Sequence, residues 1–205
     1  MIDGPETLLI ATHSEDKLRE LAAVLGGTPY RCVSLDEVGV SEEVPETGST
    51  LEENAALKAA GYARLSGMLT LADDSGLEVD ALGGEPGVRS ARYAPGSSQD
   101  RIDLLLRNLE GVDPMQMTAR FRCVIAITTP GGSPDFHEGV CEGRIVREQR
   151  GACGFGYDPV FLVPELDRTM AELAPEEKNR VSHRGIAARK AAAALSSMGG
   201  ARLAS

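Results

Sequence analysis

The sequence predicts an α/β fold, and three observations carry the prediction. Short apolar runs, Thr7–Ala11 and Leu69–Ala72, have the length of buried strands. Leu18, Leu21, Ala22 and Leu25 recur at the helical period. Met117, Ala119, Phe121, Cys123, Ile125 and Ile127 alternate strictly, which marks a long strand. Strand and helix signals of this kind alternate along the chain, the pattern of an α/β protein.

The elements follow in order. Thr7–Ala11 leads into the helix that carries Leu18 to Leu25, with Thr12 and Glu15 at capping-box spacing ahead of it. Thr50 and Glu53 repeat that spacing before a second helix reaching about Leu65, whose apolar face is Leu51, Ala55, Ala59, Tyr62 and Ala63. Leu69–Ala72 is expected to end in Asp73-Asp74-Ser75-Gly76, and Leu77–Leu82 alternates as a further strand. Gln99–Leu109 reads as a helix stopped by Gly111 and Pro114. After the long strand, Gly131-Gly132 turns the chain and Phe136–Arg147 returns as a hairpin. A Gly-rich loop over Gly151–Pro159 precedes a short strand, Val160–Val163. Pro175 opens a helical turn through Lys178, and Gly185–Met198 is an Ala-rich closing helix. Residues 1–198 read as a single domain and residues 199–205 as a loose tail.

Composition narrows the function. At 205 residues the chain buries a core without disulfides or structural metal. Aromatics are 4% and Trp is absent, so Leu, Val, Ile and Ala must fill that core. Net charge is −10, from 21 Lys and Arg against 31 Asp and Glu. That balance argues against nucleic acid as a partner, because phosphate contacts need cations. A small polyphosphate remains open to an acidic chain, given a local basic patch, a divalent cation, or both. Cys32, Cys123, Cys141 and Cys153 form no CxxC pair, which argues against zinc, and reduced thiols point to the cytoplasm. Residues 1–6 lack the basic start and apolar run of a leader, and no segment has the apolar length of a membrane span.

Five stretches could carry chemistry. Thr12-His13-Ser14-Glu15-Asp16-Lys17 joins a strand to a helix, where backbone N–H groups attract phosphate. Hydroxyls and the Lys17 charge would add to that pull; Glu15 and Asp16 oppose it, and simple capping explains the same residues. In Asp73-Asp74-Ser75-Gly76 neighbouring carboxylates alternate sides, so one of them faces any given cleft. Such a carboxylate suits magnesium or a water-activating base, although Asp, Ser and Gly also make plain turns. The acidic run Glu42-Glu43-Val44-Pro45-Glu46 precedes a helix whose Asn54 and Lys58 share a face. Gly154-Phe155-Gly156-Tyr157-Asp158-Pro159 combines close backbone approach with aromatics that can stack on a base. Lys178 with Ser182-His183-Arg184 gathers cations in an acidic chain.

Taken in order, these pieces resemble the inosine/xanthosine triphosphate pyrophosphatase family. The matching residues include Thr12 to Lys17, Glu46-Thr47-Gly48-Ser49-Thr50, Glu53-Asn54-Ala55 with Lys58, Ala72 to Leu77, Gly154 to Pro159, Lys178 and Ser182 to Gly185. The resemblance implies an elongated α/β structure with a long mixed twisted sheet, two lobes and an active-site cleft between them. It implies a homodimer that uses Mg2+. It gives Thr12, His13, Ser14, Glu15, Asp16 and Lys17 the triphosphate, and Lys58 a phosphate contact. Asp74 becomes metal ligand and proton acceptor, with Ser75 beside it touching substrate. Glu46 becomes the second metal carboxylate, with Glu43 the competing choice. Phe155, Gly156, Tyr157 and Asp158 form the base pocket. Lys178, His183 and Arg184 recognise the nucleotide, the last two near the six-position oxygen. Ser14 stands where the family usually carries Asn, and a hydroxyl lacks the amide's two-sided reach. The implied reaction is hydrolysis of ITP, dITP and XTP to the monophosphate and pyrophosphate. A pyrophosphatase for modified pyrimidines and a non-catalytic nucleotide binder are the competing readings.

Overall fold

The computed structural model describes residues 6–203, with only the backbone described over 199–203. Residues 1–5, at the stretch without leader features, and residues 204 and 205 of the expected tail lie outside the described residues.

The elements run β1 (Thr7–Ile10), α1 (Glu15–Leu25), β2 (Arg31–Ser34), α2 (Leu51–Ser66), β3 (Leu69–Val79) and β4 (Pro86–Gly87). Then come α3 (Ser98–Asn108), β5 (Thr118–Thr128), β6 (Asp135–Ile145), β7 (Phe161–Val163), β8 (Arg168–Thr169), α4 (Pro175–Val181) and α5 (His183–Leu203). The fold is mixed α/β. Its eight-stranded sheet has the order β2-β1-β3-β5-β6-β7-β8, with β4 paired to β3. β1 runs parallel to β2 and β3, while β4 is antiparallel to β3 and β7 antiparallel to β6 and β8.

The chain divides into two compact units. The first takes in the chain up to Asp74, Cys123–Gly139 and everything from Arg184 on. Its core joins Leu8, Ile10 and Leu71 of the strands to Leu21 and Leu25 of α1 and to Ala187, Ala188, Ala191 and Leu195 of α5. The alanines let α5 lie close, which is how a chain poor in aromatics packs. The second unit comprises Ser75–Arg122 and Val140–His183. Its core gathers Ile102, Leu105 and Leu109 with Leu77, Val79, Phe121, Phe161 and Met170. Burial of each large apolar side chain contributes about 1.5–3 kcal/mol, so these clusters dominate the stability of both units.

Several boundaries differ from the sequence reading, each for a local reason. β3 continues from Leu69 to Val79, so Asp73-Asp74-Ser75-Gly76 lies inside a strand and not at its end. Turn chemistry is overridden because both carboxylates find partners in the strand conformation, as described below. Gly76 also lets the Gly87 carbonyl come so close that a Cβ there would collide with it. Ser90 Oγ accepts from Leu77 N–H at 2.8 Å and donates to the Gly87 carbonyl at 2.6 Å, stitching this part of the strand. The stretch Asp80–Leu82 is a 3-10 turn and not strand. Ser14, not Thr12, caps α1, because the Thr12 hydroxyl oxygen already accepts from Ser14 N–H at 3.1 Å. Thr50 caps α2 as expected, accepting from Glu53 N–H at 3.1 Å. The closing helix starts earlier and ends later than expected, running past Gly199 to Leu203. β2 and β8 were not foreseen; with four and two residues they are too short to show a period.

Candidate active site

In the first unit, successive residues of β3 point to opposite faces. Asp73 shares its face with Leu71 and meets α1 and α5. Its Oδ2 pairs with Lys17 Nζ at 3.0 Å and accepts from Arg184 Nε at 3.2 Å. Arg184 Nη1 in turn donates to Glu20 Oε2 at 2.7 Å. Asp73 is 1% exposed and Arg184 2%, so the centre of this ion cluster is buried, with Lys17 and Glu20 half-buried at its edge. Burial by itself would raise the Asp73 carboxyl, but Lys17, Arg184 and Lys58 together hold it well below the usual carboxylate range.

Asp74 faces the other way, toward α2. Asn54 Nδ2 donates to its Oδ2 at 3.1 Å, and Lys58 Nζ donates to its Oδ1 at 3.4 Å. Asn54 and Lys58 lie one helical turn apart, which puts both on the same carboxylate. Lys58 also reaches Glu46 Oε1 at 2.9 Å. Burial raises the Asp74 carboxyl; Lys58 and Lys17 pull it down, Glu46 adds to the rise, and the net direction is up. Burial disfavours the Lys58 ammonium, but the charges of Asp73, Asp74 and Glu46 prevail and raise it.

The acidic loop that carries Glu46 is fastened to α2. Asn54 Oδ1 accepts from Gly48 N–H at 2.8 Å, and Glu53 Oε2 accepts from Ser49 N–H at 2.6 Å. Val44 packs so closely on Gly61 that a Cβ there would strike its side chain. Glu43, the competing carboxylate, is exposed.

At the start of α1, Ser14 Oγ accepts from Lys17 N–H at 3.3 Å. The Thr12 and Ser14 hydroxyls keep their protons to donate. His13 Nε2 lies 3.0 Å from Tyr62 Oη, and Asp16 pairs with Arg19 at 3.4 Å while Glu15 is exposed. Of this stretch, Lys17 alone is tied to the buried carboxylates.

The second unit holds a separate cluster. Lys178 Nζ pairs with Asp158 Oδ2 at 2.6 Å, and the same oxygen accepts from Phe155 N–H at 2.8 Å. The ammonium also sits 4.7 Å from the centre of the Phe155 ring, a cation–π contact. Gly154 is required here, because a Cβ would collide with the Asp158 carboxylate. His183 stacks on Phe121, with ring centres 4.6 Å apart and planes 13° from parallel.

Two expected roles change. The Tyr157 side chain is core and not a pocket wall: it is 4% exposed and its hydroxyl donates to the Ser90 carbonyl at 2.9 Å. Arg184 joins the Asp73–Glu20 cluster of the first unit, while its neighbour His183 belongs to the second. Sequence reasoning passed over Asp73, Asn54 and Glu20 as site residues. The shared helical face of Asn54 and Lys58 was the one signal that could have found Asn54.

The donor set fits magnesium. Glu46 and Asp74 are hard oxygen donors that already share one cation, and Mg2+ characteristically uses one or two carboxylates plus water and substrate phosphates. Among the described residues, no three of His, Cys, Asp and Glu form a metal cage of their own.

Fold and side chains define a class: a mixed α/β protein with carboxylates and lysines interlocked around β3. The chain belongs to the Ham1 family, whose model matches residues 8–194. A Bacillus licheniformis protein named dITP/XTP pyrophosphatase is 50% identical over 190 residues, covering 92% of this chain and 97% of that one. A Desulforamulus reducens protein of the same name is 52% identical over 186 residues, covering 90% and 92%. The solved structure of a HAM1 protein from Coxiella burnetii superposes with a TM-score of 0.86 at 41% identity, over 94% of this chain and 99% of that chain.

Proposed function

We propose that the chain is a magnesium-dependent nucleoside-triphosphate pyrophosphatase. It hydrolyses ITP, dITP and XTP to the monophosphate and pyrophosphate, removing deaminated purine nucleotides from the pool. The observation that carries the reading is the Asp74 carboxylate, set between Asn54 and Lys58 with Glu46 on the same ammonium. Relatives about half identical and named dITP/XTP pyrophosphatase supply the substrate class.

Asp74 and Glu46 would hold Mg2+, which supplies Lewis-acid polarisation and charge neutralisation at phosphate. Asp74, its carboxyl raised by burial, takes the proton of a water attacking the α-phosphorus. The bond from that phosphorus to the bridging oxygen breaks, and pyrophosphate leaves with the electron pair. Lys17 and Lys58 offset its charge, and the hydroxyls of Thr12 and Ser14 with the α1 N-terminus bind the phosphates. Ser75 follows Asp74 and touches substrate. The base is assigned to Phe155, which stacks, and to Lys178 and His183, which donate to the six-position oxygen. Adenine has an amino group there and would leave those donors unpaired, which is the basis of selectivity.

The same reading has a homodimer acting on free nucleotides in the cytoplasm, without nucleic acid or membrane. The family resemblance supports the dimer; the net charge of −10 and four free cysteines support the rest. No described helix is long and apolar enough to cross a membrane. The test is a panel of nucleoside triphosphates with and without magnesium, run in isotopically labelled water. The expected result is magnesium-dependent pyrophosphate release, greatest for ITP, dITP and XTP, with label in the monophosphate. Label in pyrophosphate would overturn attack at the α-phosphorus. Equilibrium sedimentation at the monomer mass would overturn the dimer.

A further inference from the structure

Lys58 occupies the place where the proposed chemistry needs a metal. Its Nζ lies 2.9 Å from Glu46 Oε1 and 3.4 Å from Asp74 Oδ1, the two carboxylates assigned to magnesium. The surroundings fix the other atoms. Asn54 holds Asp74 Oδ2, and Asn54 and Glu53 hold the backbone at Gly48 and Ser49, just after Glu46. The lysine reaches the carboxylates from the middle of α2 on a flexible four-carbon stem.

We infer that Lys58 is a built-in stand-in for the divalent cation. In the free protein its ammonium holds Glu46 and Asp74 together, and it keeps a metal ion from settling there before the nucleotide arrives. The inference rests on the proposed function, since the two carboxylates matter as a pair only if they hold metal. Two carboxylates this close repel one another, and an ammonium between them removes the repulsion. A divalent ion entering the pair then meets the lysine's positive charge a few ångströms away. An incoming triphosphate offers that ammonium a stronger partner, so Lys58 transfers to phosphate and the carboxylates are released to the metal. Metal and nucleotide thereby strengthen each other's binding, a coupling that must be reciprocal.

A purely structural role makes the opposite prediction. If Lys58 only ties the Glu46 loop to α2, removing it loosens the loop and weakens metal binding. The two accounts therefore differ in sign.

The test measures Mn2+ binding to the nucleotide-free protein, from the paramagnetic resonance of unbound Mn2+. Wild type is compared with Lys58→Met, Lys58→Gln and Glu46→Gln, each checked for folding by circular dichroism. Both Lys58 variants should bind Mn2+ about tenfold more tightly or better, because one unit of opposing charge is gone. The double variant Lys58→Met/Glu46→Gln should lose that gain. A non-cleavable α,β-methylene analogue of ITP should strengthen Mn2+ binding more in wild type than in Lys58→Met. Unchanged or weaker Mn2+ binding in the Lys58 variants overturns the stand-in role, as does failure of both to fold. The Glu46→Gln variant then tells the two failures apart. Weaker Mn2+ binding there leaves the metal reading intact and removes only the stand-in. No change there removes the metal reading as well.

Discussion

The two clusters solve different problems with different materials. In the first unit, Asp73, Asp74, Glu46 and Glu20 interlock with Lys17, Lys58 and Arg184. Almost every contact there is between full charges. In the second, the Lys178–Asp158 ion pair is combined with the Phe155 ring and a His183–Phe121 stack. A charge-rich cluster suits phosphate and a cation, whose recognition is electrostatic. A stacked cluster with few charges suits a planar base, whose recognition depends on ring faces and a few hydrogen bonds. Under the proposed function the first governs rate and integrity, and the second governs choice of substrate.

Four substitutions test that division. The largest effect belongs to Asp74→Asn, which keeps the Asn54 contact and removes the base: kcat should fall by about 10³-fold while nucleotide affinity is largely retained. Near-normal turnover in steady-state assays would sink the assignment of Asp74.

Next comes Asp73→Ala, which strands the buried charge of Arg184 and the half-buried one of Lys17 and should destabilise the protein by about 3–5 kcal/mol in denaturant titrations. The folded Asp73 carboxyl lies below its unfolded value. Its stabilisation is therefore complete above about pH 4 and decays only as the pH falls toward the folded value. The gap between wild type and variant should narrow only in strong acid, and a gap that instead narrows toward neutral pH would contradict the ion cluster.

His183→Phe preserves a ring to stack on Phe121 and removes the ring nitrogens. Preference for ITP over ATP, measured as a ratio of kcat/KM values, should drop by about tenfold with stability changed by less than about 1 kcal/mol. A loss of stability without a change in that ratio would reassign His183 to the core.

Phe155→Ala is the mildest change, removing a stacking face that contributes about 1–2 kcal/mol and so raising KM roughly tenfold with kcat nearly unchanged. An equal loss in kcat would place Phe155 in the chemistry and break the division.

Legibility followed the range of the interactions. The α2 apolar face of Leu51, Ala55, Ala59, Tyr62 and Ala63 is buried throughout, because a helix's period is written in neighbouring residues. Cys123 is a buried strand thiol, as the alternation implied; Cys141 on β6 is buried too, and burial is the main force pushing both up to about 12. The Asp73-Asp74 boundary was misplaced because turn propensity is local, whereas the partners that keep this segment extended come from α1, α2 and α5. Likewise Arg184 sits beside His183 in sequence, but its guanidinium holds Asp73 and Glu20, partners far away along the chain.

By itself, then, the sequence determined the α/β class, the helical faces, an acidic chain with its cations gathered in a few stretches, and the ordered motifs that mark a Ham1 protein. Tertiary structure alone decided which carboxylate meets which cation. Adjacent aspartates on one strand look equivalent in sequence, and strand geometry sends them to opposite faces. One face brings Lys17 and Arg184, both on Asp73 Oδ2, and makes Asp73 a buried anchor. The other brings Asn54, Lys58 and Glu46, and there burial prevails and leaves the Asp74 carboxyl raised. The distinction arises from charges separated by long stretches of chain, and only folding sets the distances on which their energies depend.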